Sequence, residues 1–150
     1  MNAVTLARRG RLSRQCHDPA GSAKALQQLR EAQLDALTEG VDGPLHVDIY
    51  VLTAPGQAPE SRTAQALQVA ASQGWHIGLT ICDTTGGGSA PALRPYLSHL
   101  LDRIARGECA GLTAVSRTDF TPFDDEYEAF LHHLNDLGGF LALVSPETGL

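Results

Sequence analysis

From residue 46 onward the chain alternates two spacings of hydrophobic residues. The run Val47-Asp48-Ile49-Tyr50-Val51-Leu52 is nearly all apolar and rich in β-branched residues, so a buried strand is predicted at 46–53. Ala64, Leu67, Ala70 and Ala71 then recur at helical spacing over 60–73 and point inward, with Gly74 as the stop. His76-Ile77-Gly78-Leu79-Thr80-Ile81-Cys82 reads as a second strand, with Cys82 in the core. After a loop from Asp83 to Ala92, a helix over 93–106 places Leu97, Leu100, Leu101 and Ile104 on one face. A third strand is predicted at 111–116. Thr121-Pro122-Phe123-Asp124 has the form of a helix entry, with Thr121 as N-cap, proline at the first helical position and an acid at the third. The helix it opens buries Tyr127, Phe130, Leu131, Leu134 and Leu137. Gly138-Gly139 ends it, and a fourth strand covers 140–144.

Strands that alternate with helices through short connections imply right-handed crossovers and a parallel sheet, hence an α/β fold. Ligands of such sheets bind beyond the carboxyl ends of the strands. Topology alone collects Thr53, Asp83, Thr84, Thr85, Ser89, Arg94, Arg117 and Asp119 at that edge.

Upstream the pattern is looser. A helix is predicted over 22–38, with Ser22 as cap, a stripe of Leu26, Leu29, Ala32 or Gln33, Leu34 and Leu37, and Gly40 as stop. Gly43-Pro44 separates it from the first strand. Residues 1–16 hold four arginines (Arg8, Arg9, Arg11 and Arg14) and no apolar stretch of signal-peptide length, so 1–21 reads as a basic flexible arm. Charge is divided accordingly. Residues 1–40 carry six Lys/Arg against four Asp/Glu, and residues 41–150 carry five against thirteen, within a total of −6. An acidic body is a poor docking surface for nucleic-acid phosphates, which leaves the arm's arginines to make any such contact. No apolar run approaches the roughly 20 residues that span a bilayer, so no membrane partner is expected. Cys16, Cys82 and Cys109 fit no disulfide framework or zinc knuckle, which points to a reducing, cytoplasmic setting.

Candidate chemistry is sparse. In Asp83-Thr84-Thr85-Gly86-Gly87-Gly88-Ser89 the glycines allow close backbone approach to an anion, but the Gly-Lys-Ser/Thr ending of a Walker loop is missing. The loop is either an anion cradle, as in a flavodoxin-like phosphate-binding domain, or a surface connection. Arg94, at the entry of its helix, could reach a phosphate or pair with a carboxylate such as Asp83. Asp119 could orient a proton or an arginine, or serve the turn before Thr121-Pro122. Phe120 and Phe123 beside it read as apolar lids on the sheet edge. His132-His133 has no partner at ligand spacing, so no metal is expected, and no cofactor is implied. No Gly-x-Ser-x-Gly elbow, His-Glu-x-x-His or close Cys/His pair of catalytic type is present.

Taken in order, Tyr50, Gln65, Gly74-Trp75, Asp83, Gly87-Gly88, Arg94-Pro95, Asp119 and the last strand before Ser145-Pro146 resemble the catalytic domain of the serine recombinases, the resolvase/invertase family. The resemblance covers about residues 46–146. It implies a resolvase-like three-layer α/β fold with a mainly parallel sheet of four or more strands. To this the chain adds an N-terminal helix and linker at 22–44, ahead of a catalytic-type domain at 45–150. The family activity is DNA strand cleavage and rejoining through a phosphoserine, with arginines stabilising charge on the phosphoryl oxygens.

The departures shape the functional expectation. Alignment on Tyr50 places Leu52 at the first arginine position and Ala54 at the nucleophile. The Asp-Arg-Leu-x-Arg motif falls on Asp119-Phe120-Thr121-Pro122-Phe123, so Phe120 and Phe123 replace its arginines. Ala58 stands at a family glutamine, with Gln57 one place away. Asp119 and Arg94 survive. Thr53 is a possible surrogate nucleophile, but neighbouring strand residues face opposite sides, so it should point away. A catalytically inactive domain acting as a DNA- or protein-binding accessory module is therefore expected. Its candidate phosphate contacts are Arg94, Arg117, Ser89 and the four arm arginines, and its candidate partners are DNA, a second copy or another recombinase. The family's dimerisation helix and DNA-binding domain have no counterpart before Leu150, and the helix at 22–38 could cover the surface this leaves bare.

Overall fold

A computed structural model describes residues 19–85 and 88–149. Helix α1 (Pro19–Thr38) precedes strand β1 (His46–Leu52), α2 (Glu60–Ser72), β2 (His76–Asp83), α3 (Pro95–Ala105), β3 (Gly111–Ala114), α4 (Asp124–Asp136) and β4 (Phe140–Leu143). Single 3-10 turns occupy Pro91–Leu93, Arg117–Asp119 and Glu147–Gly149. The four strands form one parallel sheet in the order β2-β1-β3-β4. The three-layer α/β arrangement expected from the sequence is therefore present.

Alternation along β1 divides the core between the two faces of the sheet. Tyr50 and the partly buried Leu52 join Leu97, Leu100, Leu112 and Leu131 on the side of α3 and α4. Val47, Ile49 and Val51 pack with Ala66 and Ala70 of α2 on the other. Helical phase shifts two expectations. Ala66 and Ala70 are the buried alanines of α2, whereas Ala64 and Ala71 are exposed, because the helix presents its 66–70 edge to the sheet. Cys82 is exposed rather than in the core, because β2 is an edge strand whose carboxyl-terminal half is covered only in part.

Buried polar groups on β1 are matched across the sheet. The β1–β2 register slips between Val47 and Ile49, and the Leu79 N–H donates to Asp48 Oδ1 at 2.8 Å in the slipped segment. Arg103 of α3 grips the same carboxylate through Nε at 2.8 Å and Nη2 at 3.2 Å. Gly78 is required by this approach, since a Cβ there would lie 2.6 Å from Asp48 Oδ1.

The N-terminal helix is built into the fold. It starts at Pro19, so Ser22 lies inside it rather than capping it. Its stripe passes through Gln33 rather than the exposed Ala32. Leu26 and Leu29 join one core cluster and Leu34 and Leu37 the other, so α1 straps the β4 edge. The strap is anchored by a buried fork. Arg30 Nε and Nη2 donate to Glu147 Oε2 at 2.7 Å and Oε1 at 3.1 Å, and the Tyr127 hydroxyl donates to Oε2 at 2.5 Å. Glu147 is 3% exposed and Arg30 5%.

Removing one partner of a dry ion pair strands the other charge. Glu147→Ala should lower unfolding free energy by about 3–5 kcal/mol, and a paired Arg30→Met, Glu147→Leu variant should recover much of the loss. Denaturant melts of the three proteins check this. Equal loss in the single and paired variants would contradict it.

Candidate functional site

The loops after β1, β2 and β3 meet at the carboxyl edge of the sheet. The structure brings Tyr50, Asp83, Arg94, Asp119 and Phe120 into one buried network there. Asp83 is 1% exposed and accepts from the Tyr50 hydroxyl at 2.7 Å and from the Thr85 N–H and hydroxyl at 2.9 Å each. Burial and the Asp83 bond push the Tyr50 phenol well above its usual range, so it remains a donor.

Arg94 is the hub. The preceding Ala90–Leu93 segment turns it inward at the entry of α3, where it is 3% exposed. Its Nε donates to the Ser89 carbonyl at 3.1 Å, and Nη1 to the Asp119 carbonyl at 2.6 Å and the Tyr50 hydroxyl at 3.3 Å. Nη2 bonds the Phe120 carbonyl. Four of five guanidinium N–H groups are thereby held internally. The Tyr50 hydroxyl stands between Arg94 and Asp83, donating to the carboxylate and accepting from the guanidinium. Ser89 contributes its backbone, and its side chain is exposed.

Asp119 is 1% exposed and receives the Val115 N–H at 2.9 Å, the Ser116 N–H at 3.3 Å and the Leu52 N–H at 3.4 Å. Arg62, in the first turn of α2, pairs with its Oδ1. Burial raises the Asp119 carboxyl above its ordinary 3.8, against the pull of Arg62 and the three amides. Sequence reasoning missed Arg62. Its signal was positional, since the first turn of a helix following a strand stands at the ligand edge by topology.

The remaining candidates take other places. Phe120 is fully buried, stacked 5.5 Å from the Tyr50 ring and 4.6 Å from Phe130, while Phe123 is 64% exposed, so only the first acts as a packed lid. Thr121 accepts from the Phe123 N–H at 3.1 Å, but the helix begins at Asp124 and Phe123 takes the N-cap position. The Thr121 hydroxyl also donates to Glu126 Oε1 at 2.7 Å. Arg117 turns inward, bonding Asp124 at 2.7 Å and lying 4.6 Å from the Tyr127 ring centroid. Its Nε and Nη2 are buried without a partner among the described residues.

At the end of β1, Ala54 is exposed, and its N–H is taken by Gln57 Oε1 at 3.0 Å across a turn that Gly56 permits with φ 84°. The Thr53 N–H continues the ladder to the Asp83 carbonyl at 3.0 Å. Thr53 is 3% exposed and its hydroxyl has no partner among the described residues. Arg8, Arg9, Arg11, Arg14, Cys16, Gly86 and Gly87 lie outside the described residues. Among the described residues no three metal-ligating side chains come together, and no helix is long and apolar enough to cross a membrane.

Comparison with solved structures places this architecture. The chain is similar to the C-terminal catalytic domain of ISC1926 TnpA, an IS607-like serine recombinase, at 14% identity and a TM-score of 0.57, over 67% of this chain and 70% of that one. It is similar to the N-terminal catalytic domain of TP901-1 integrase at 15% identity and a TM-score of 0.58, over 66% and 76%. No family model and no curated protein matches the sequence. The fold is that of serine recombinase catalytic domains.

Two outcomes follow from this geometry. Arg94→Ala should destabilise the fold by at least about 3 kcal/mol, since each buried acceptor left without a donor costs on the order of 1–3 kcal/mol, and Arg94→Lys should recover little because an ammonium cannot span the fork. Denaturant midpoints check both. Carboxyl-detected NMR should find Asp119 titrating above 3.8, and higher still in Arg62→Met, where the opposing charge is gone. The native carboxyl holds its proton more tightly than the unfolded one. Asp119 therefore weakens the fold at neutral pH, and the penalty eases as pH falls through the raised value.

Proposed function

We propose that this chain is a serine-recombinase-type domain that does not cut DNA and works as a binding module. One observation carries the reading. Where alignment on Tyr50 expects an attacking hydroxyl there is a methyl group, Ala54, whose backbone is folded against Gln57. Its surroundings agree. Leu52 and Phe120 occupy two arginine positions with side chains packed in the core. A missing nucleophile removes the covalent route outright, and each absent charge-stabilising donor would reduce rate by roughly 10²–10³. Thr53, the adjacent hydroxyl, is buried at 3% exposure.

The surface supports a protein partner for the folded body. Among the described residues every arginine is already engaged. Arg30, Arg62, Arg103, Arg106 and Arg117 are in ion pairs, and Arg94 is bound to carbonyls. Phosphate contacts supply most non-specific DNA affinity, and they need cations that are free to make them. Contact with DNA, where it occurs, falls to Arg8, Arg9, Arg11 and Arg14, together with the exposed Lys24 of α1. A second copy or an active recombinase is the partner class the fold suggests for the rest. A phosphate-binding, flavodoxin-like role draws no support from Arg94, which faces inward.

Supercoiled plasmid incubated with the protein, then denatured with detergent and protease, should show no nicked, linear or relaxed product and no protein-linked DNA. A covalent adduct that disappears in Thr53→Ala would overturn the reading.

A further inference from the structure

An open groove of about 820 Å³ lies between α1 and the start of α4. Leu26 and Leu29 form its floor, and Phe123, 64% exposed, stands at its side. Asp125 and Glu128 line its α4 wall beside Asp124. The Asp124 carboxylate is engaged by Arg117, and Glu128 meets only the exposed His132, at 3.6 Å. Asp125 has no ion-pair partner among the described residues. The groove thus offers apolar surface beside anionic charge that the body does not neutralise.

The segment that would enter it is tethered at its mouth. Ser22, one turn into α1, lines the groove, and the chain before Pro19 reads Leu6-Ala7-Arg8-Arg9-Gly10-Arg11-Leu12-Ser13-Arg14. It carries four arginines and no acid before Asp18, with Leu6 ahead of them and Leu12 among them. Arg14 is five residues from Pro19, a reach of about 17 Å at full extension, and Arg11 has about 27 Å. Ser22 lines the same groove as Leu29, Phe123, Asp125 and Glu128, so the tether starts within one turn of the site it would fill.

We infer that residues 6–14 dock in this groove, with the arm's arginines on Asp125 and Glu128 and its leucines against Phe123 and Leu29. The inference is independent of the function proposed above, since it uses only charge, apolar surface and tether length. It has a consequence for binding. Arginines held on Asp125 and Glu128 could not grip a phosphate backbone at the same time, so an anionic partner that used them would have to displace the arm.

Limited trypsin digestion of the full chain, followed by mass spectrometry of cuts after Arg8, Arg9, Arg11 and Arg14, tests the idea. Cleavage at low ionic strength should be slow. It should rise about fivefold in an Asp125→Asn, Glu128→Gln variant, and similarly for the parent protein in about 0.5 M salt, where exposed ion pairs are screened. Phe123→Ser should give a smaller rise that salt does not reproduce. An unchanged thermal midpoint in each variant separates arm release from unfolding. Equal cleavage rates in parent and double variant at low salt would overturn the proposal. Protection that vanishes on dilution would overturn it too, since the occupant would then be a second copy's arm.

Discussion

The loops that leave the carboxyl edge of a parallel sheet carry backbone carbonyls that need donors once they are buried. In this protein one buried guanidinium supplies them and ties the loops together. Arg94 bonds carbonyls from the loop after β2 and from the turn after β3, and touches the last aromatic of β1. Its planar fork can serve three segments at once, which an ammonium could not. Asp119 completes the arrangement from the acceptor side by collecting amides of β1 and of the segment after β3, and by holding Arg62. The two networks share the Asp119 residue, whose carbonyl faces Arg94 and whose carboxylate faces Arg62. The edge where such sheets do their chemistry is here tied shut by its own charged groups.

The same economy of charge recurs elsewhere. Asp48 and Arg103 meet across a slipped strand pairing, and Arg30 and Glu147 lock the N-terminal helix over the β4 edge. An uncovered β4 would offer unpaired backbone groups to other chains, and α1 covers that strand with apolar side chains from both ends of the helix. The helix therefore belongs to the core, even though it stands outside the repeating strand–helix pattern. Arg30, Arg94 and Arg117 are buried, and among the described arginines Arg106 is the one largely exposed, paired with Glu108.

Much of this was legible in the chain. The strand and helix order, the parallel sheet, the burial of Leu97, Leu100, Leu101 and Ile104, and the aromatic face of α4 follow from periodicity, because burial selects for it. The convergence of Asp83, Arg94 and Asp119 followed from topology. The misjudged positions share a cause. Cys82 looks like core in a strand pattern, but its exposure depends on β2 lying at the edge. Ala64 and Ala71 fit a helical stripe as well as Ala66 does, and alanine is too small to fix the rotation of α2 by itself.

What the sequence determined alone was the identity of the groups at each place along β1 and after β3. Ala54 brings no hydroxyl and Phe120 no charge to their places, whatever the fold. What only the tertiary structure decided was where the surviving charges point. Arg94 and Arg117 could have faced a ligand as readily as a carbonyl or a carboxylate, and Arg62 had no visible partner in the chain. Direction is set by which neighbours packing supplies, since a guanidinium removed from water must bind whatever acceptors lie within its reach.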